Sequence, residues 1–97
     1  MLRMAVTVIL VASCAAEQPP APDKVTGMIT EVRRAQGRII GFTLNAGTED
    51  IDIDIDPDRD YGFDLEHLED HRRTGDPVRV DLRSRGGRLV ALTILDA

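Results

Sequence analysis

The amino-acid sequence predicts an all-β domain with one helix: five strands closing into a small barrel, with the helix between strands three and four. Three observations lead there. Apolar and polar residues alternate with a period of two over most of residues 24–97, which turns one face of each run inward. Glycine-containing turn signals of hairpin length separate strands one, two and three, and again strands four and five. The one longer connection carries helix start and stop signals instead. A domain this short buries a modest core, so a closed architecture, which leaves no open sheet edge, is favoured over an open one.

The first strand is read from Val25, Gly27 and Ile29. Val32 then falls out of phase by one residue, the mark of a bulge in a strongly bent strand. Ile40, Phe42 and Leu44 form the inward face of the second strand. In the third, Ile51, Ile53 and Ile55 alternate with Asp50, Asp52, Asp54 and Asp56, giving one apolar face and one carboxylate face. Gln36-Gly37 and Asn45-Ala46-Gly47 supply the two turns.

The helix is expected over residues 64–74. Asp64 is its cap, Phe63 and Leu68 occupy the hydrophobic-staple positions, and Gly75 is the stop. Glu66 and Glu69 come early and Arg72 and Arg73 late, the order that complements the helix dipole. Val78, Val80 and Leu82 then alternate with Arg79, Asp81 and Arg83 in strand four, and Gly86-Gly87 makes the next turn. The final run, residues 89–95, is apolar at nearly every position, which suits a strand with neighbours on both sides.

Ahead of the domain, Arg3 precedes an apolar stretch over residues 4–12, followed by the small residues and cysteine of a secretory signal. Spanning a bilayer takes about 20 apolar residues, so this stretch is too short for a retained transmembrane helix. Residues 15–23 hold Pro19, Pro20 and Pro22, which disfavour helix and sheet and give an extended tether of about 3.1 Å per residue.

Within that signal, Val11-Ala12-Ser13-Cys14 resembles the lipobox of bacterial lipoproteins, an aliphatic residue and two small ones before the cysteine that is lipidated. The resemblance covers the first 14 residues. It implies that residues 1–13 are a signal peptide, that Cys14 becomes the lipidated mature N-terminus, and that residues 14–23 tether a barrel over residues 24–97. Two acyl chains suffice for stable anchoring, so the implied location is extracytoplasmic, on a bacterial membrane.

Three strands, a helix and two strands, with a bent glycine-containing first strand, resemble the oligonucleotide/oligosaccharide-binding barrel (OB-fold) over residues 24–97. That resemblance implies a ligand face on strands two and three, flanked by the loops joining strands one to two and four to five. The first loop region carries Arg33, Arg34 and Arg38, the second Arg83, Arg85 and Arg88. The face between them carries Asp52 and Asp54, with Asp56 at its end. Asp52, Asp54, Asp56, Arg33, Arg34, Arg38, Arg85 and Arg88 are therefore the candidate partner-binding residues. Like charges along one strand face cost stability unless offset, either by arginines folded in from the flanking loops or by a basic partner or cation from outside, and the second is the expectation.

Other chemistries are poorly supported. A net charge of -5, from 12 basic and 17 acidic side chains, repels a phosphate backbone, and no aromatic platform for stacking is indicated, so no nucleic acid is expected. A single cysteine excludes a disulfide framework and a cysteine-rich zinc site. Beyond residue 14 the one serine is Ser84, in a turn, with no base in view, and no enzyme is expected. Asp56, Asp58 and Asp60 have the spacing of the first half of a calcium loop, but Tyr61 and His67 stand where glycine and glutamate are required. His67 and His71 share one face of the helix at the separation that two zinc ligands need, yet no third ligand is indicated. The resulting expectation is a membrane-anchored, non-catalytic binding or interaction module without a cofactor, whose partner is a protein or small ligand. A calcium-binding domain, or a structural subunit of an envelope complex, is the alternative.

Overall fold

The computed structural model describes residues 24–97, so the signal peptide, the lipobox and the tether lie outside the described residues. Its strands are β1 (Lys24–Ala35), β2 (Arg38–Ala46), β3 (Glu49–Asp54), β4 (Val78–Arg85) and β5 (Arg88–Asp96), with α1 (His67–Thr74) between β3 and β4. They form a closed barrel in the order β1-β2-β3-β5-β4. Closure comes from the first residues of β1, which pair with β4 through Val25–Val80 and Thr26–Arg79. Every pairing is antiparallel except a short parallel one between β3 and β5, at Ile53–Leu89 and Asp54–Val90. The expected closed five-stranded barrel with one helix between β3 and β4 is the fold.

Alternation explains the core. Phe42, Leu44, Ile53, Val78, Val80 and Ile94 are fully buried, and Leu68 of α1 joins them. Val25 and Val32 pack against this cluster from β1. The pairing of β1 with β2 slips between Ile29 and Glu31, leaving Thr30 as the extra residue. That bulge brings Ile29 and Val32 to the same side of a bending strand, as the phase shift in the sequence required.

A second slip was not legible. Arg33 pairs with Gly41 and Arg34 with Ile39, so Ile40 is the extra residue on β2. It turns outward, 47% exposed, while Ile39 points in at 7%. The expected inward face therefore loses Ile40 and gains Ile39.

Gly27 of β1 packs against the backbone at the end of β2. A Cβ there would lie 2.2 Å from the backbone oxygen of Asn45, so no larger residue fits without moving backbone.

Helix α1 begins at His67, three residues later than expected. The segment before it is a tighter turn, held by backbone bonds from His67 to Asp64 (2.9 Å) and from Leu68 to Leu65 (3.0 Å). Asp64 does cap, but it caps this turn, its Oδ1 accepting from the Glu66 amide at 3.0 Å. Gly75 closes the helix as expected, in the left-handed conformation with its amide donating to the His71 carbonyl at 2.8 Å.

Candidate functional site

The outer face of β2 and β3 carries the aspartates, and arginines lie beside Asp52, Asp54 and Asp56. Arg33, inside β1, lays its guanidinium across the outside of β2 and β3. It donates to the carbonyls of Phe42 and Ile53, both at 3.1 Å, and to Thr43 Oγ1 at 2.9 Å. The bare backbone of Gly41 makes room, since a Cβ there would lie 2.7 Å from Arg33 Nη2. Asp52 completes the arrangement, 3.7 Å from Arg33 Nη1 and accepting from Thr43 Oγ1 at 2.8 Å.

Next along β3, Asp54 receives both arms of Arg88, at 2.6 and 2.7 Å. This bidentate contact holds the Asp54 carboxyl below its ordinary range. Asp56 has Arg85 at 3.5 Å. The expectation that the aspartates await an outside cation therefore does not hold. Asp54 and Asp56 have arginines because the β4–β5 hairpin comes alongside β3 and brings Arg88 and Arg85 with it, Asp52 shares Arg33 of β1 with Glu31, and Asp50 accepts from Asn45 Nδ2 at 2.9 Å.

Arg34 leaves the face entirely and reaches the helix region, bonding Glu66 at 2.8 and 3.0 Å and Glu69 at 3.4 Å. Arg38 has no carboxylate within ion-pair distance among the described residues. It lines a cavity of about 680 Å³ together with Ile40, Ile55, Arg59, Phe63 and Leu65. The eight candidate residues thus divide among three places. Arg33, Asp52, Asp54, Asp56, Arg85 and Arg88 brace the barrel wall, Arg34 ties β1 to the helix region, and Arg38 opens onto the cavity.

The aspartates beyond β3 serve the loop itself. Asp56 Oδ1 accepts from the Asp58 amide and Asp60 Oδ1 from the Gly62 amide, both at 2.9 Å. These are local turns of the kind aspartate favours. They explain the spacing that resembles a calcium loop.

Among the described residues, one group of three metal-ligating side chains does converge: His67, His71 and Asp96. The two histidines lie one turn apart on α1, ring centroids 4.7 Å apart and planes at 88°. Phe63 sets its ring against His67 at 5.5 Å. His71 is buried. Its Nδ1 is 2.8 Å from the carbonyl of Asp76, which can only accept, so Nδ1 carries the proton. Its Nε2 is 2.8 Å from Asp96 Oδ1. Burial alone would push the His71 pKa down, but the Asp76 carbonyl and the Asp96 carboxylate outweigh it and raise the pKa above the ordinary histidine value. His67 directs Nε2 toward the same Asp96 oxygen at 3.7 Å and Nδ1 toward Asp70 at 3.3 Å.

Asp96 is the residue that sequence reasoning missed. It stands 25 positions after His71. Topology held the available signal: Asp96 pairs with Val78 at the start of β4, three residues after the glycine that ends α1. A closed barrel returns the end of β5 to the foot of the helix.

Comparison with protein-family models, with curated proteins and with solved structures finds no match.

Proposed function

We propose that this chain is a bacterial lipoprotein, anchored outside the cytoplasm through a lipidated Cys14, and that its barrel is a non-catalytic binding module. The observation that carries the reading is Val11-Ala12-Ser13-Cys14, placed after a basic residue and a short apolar run and containing the chain's one cysteine. A proline-rich tether between that cysteine and a compact barrel is the arrangement by which a surface anchor presents a binding domain away from a bilayer. Ser84, the one serine of the barrel, is exposed in β4. The cavity beside Arg38 is the surface best suited to a ligand. Apolar side chains of Ile40, Ile55, Phe63 and Leu65 form much of its lining, and Arg38 and Arg59 share its rim with Asp56, Asp64 and Glu66, which fits a small or peptide-borne group with an apolar body and a polar end.

The anchor is tested by replacing Cys14 with Ser and fractionating cells that express each form. The wild type is expected in the membrane fraction at a mass increased by acyl chains, and the variant is expected without acyl mass and released from stable anchoring. Equal membrane association and equal mature mass for the two forms would refute the assignment.

A further inference from the structure

We propose that His67 Nε2, His71 Nε2 and Asp96 Oδ1 form a binding site for one divalent transition-metal ion of the zinc type. The site does not depend on the anchor or on the cavity at Arg38.

Geometry is the first argument. Tetrahedral zinc holds nitrogen and oxygen donors at about 2.0–2.1 Å, which places two donors of one ion about 3.3 Å apart. The shared Asp96 oxygen lies 2.8 Å from His71 Nε2 and 3.7 Å from His67 Nε2, on either side of that separation. All three donor atoms fall within 4.8 Å of one another. Small side-chain rotations bring them to coordinating distance, and two of the side chains are free enough to make them. The side chains of His67 and Asp96 are 44% and 65% exposed, whereas that of His71 is fixed at 6%.

The surroundings of the rings supply the second argument. A metal-bound histidine characteristically donates its other ring nitrogen to an oxygen, which fixes the tautomer and aims the coordinating atom. Both histidines have that partner here, Asp76 O for His71 and Asp70 Oδ2 for His67. An ordinary buried hydrogen bond explains why His71 faces Asp96. It does not explain why His67, one turn away, points its own Nε2 at the same oxygen with its Nδ1 held from behind.

Donor chemistry then selects the ion. Two imidazoles and one carboxylate suit zinc and its neighbours. Calcium and magnesium take six or more oxygens, which this cluster lacks. A cavity of about 440 Å³, lined by His67, His71, Asp76, Pro77 and Asp96 among others, leaves the fourth position to water or to a ligand atom of a partner. An ion in this place takes over the role of the proton between His71 and Asp96 and links α1 to the end of β5. Zinc would thus fasten the helix to the barrel.

The test uses the full chain in detergent with Cys14→Ser, so that no thiol competes for metal. Zinc chloride is titrated by calorimetry into this protein and into the same protein carrying His67→Gln or Asp96→Asn, two partly exposed positions, with each variant first shown by circular dichroism to be folded. One saturable zinc per chain is expected, with a melting temperature that rises with zinc because the native state alone holds the three donors together. Each variant is expected to weaken binding at least tenfold. The chain has two histidines, and the ring signals of both are expected to move together in nuclear magnetic resonance spectra as zinc is added. Absence of saturable zinc binding, unchanged affinity in either variant, or equal stabilisation by calcium chloride would each overturn the site.

Discussion

Replacing Tyr61 with Phe probes how the loop between β3 and α1 is held to the barrel. The phenolic oxygen accepts from the Asp56 amide at 2.9 Å and donates to the Ala91 carbonyl at 2.8 Å. One atom therefore ties the start of the loop to the middle of β5, 30 residues away. Phenylalanine keeps the ring and its packing against the core but leaves the Asp56 N–H and the C=O of buried Ala91 without their partner. Each such loss costs about 1 kcal/mol when water can partly substitute and up to about 3 kcal/mol when it cannot. Two such losses put the total at roughly 2–4 kcal/mol, which lowers the melting temperature by roughly 8–32 °C in a domain of this size. Circular dichroism melts of the two proteins near neutral pH measure the difference.

The same residue sets a pH dependence. Burial raises the Tyr61 pKa above the ordinary phenol value, and the amide bond from Asp56 opposes it only in part. A group whose folded pKa is raised contributes its stability fully below the unfolded value of about 10 and loses it as pH rises through the folded value. The gap between wild type and Tyr61→Phe is therefore expected to narrow above pH ~10. The chain has one tyrosine, so tyrosinate absorbance reads its ionisation directly, and it should appear at higher pH in the folded protein than in urea. Equal melting temperatures at neutral pH, or a phenol that ionises alike folded and unfolded, would refute the reasoning.

Two further outcomes test the wall and the bulge. Asp54→Asn should lower the melting temperature slightly at low salt and have little effect at high salt, because Arg88 loses a screened, partly exposed partner. The Asp54 carboxyl is held low by its bond to Arg88, so its contribution is present above about pH 3.9 and disappears as pH falls through the folded value. A stability gain at low salt would instead mean that the aspartate face is uncompensated. Ile39→Ala should cost about 2–5 kcal/mol in urea unfolding, while Ile40→Thr should stay within about 0.5 kcal/mol. The reverse order would place the bulge elsewhere.

Strand number, helix position and most of the core were legible because a period of two and glycine turns are local signals, readable wherever one face of a strand is buried. Val32 announced its bulge in the same way, by breaking the period. The bulge at Ile40 left no such trace: Ile39 and Ile40 are adjacent, alike and both apolar, so either phase satisfied the pattern. The pairing of the aspartates was also hidden, but for a different reason. Counting charges along β3 says nothing of which hairpin lies beside it. Arg85 and Arg88 come more than 25 positions later, and only the parallel contact between β3 and β5 makes them neighbours.

That contrast bears on where binding belongs in this molecule. A ligand seated on β2 and β3 would have to displace Arg33 from two backbone carbonyls and Arg88 from a bidentate carboxylate, losing charge-assisted bonds before it made any of its own. The foot of α1 asks for no such exchange beyond one proton. Its Asp96 oxygen lies about half an ångström from the donor separation a tetrahedral ion sets with either histidine, and the outer hydrogen bonds of both rings are already in place. Arg38 likewise lines its cavity and, among the described residues, has no paired carboxylate to give up. The foot of α1 and the cavity at Arg38, and not the outer face of β2 and β3, are where a ligand would have the fewest existing bonds to displace.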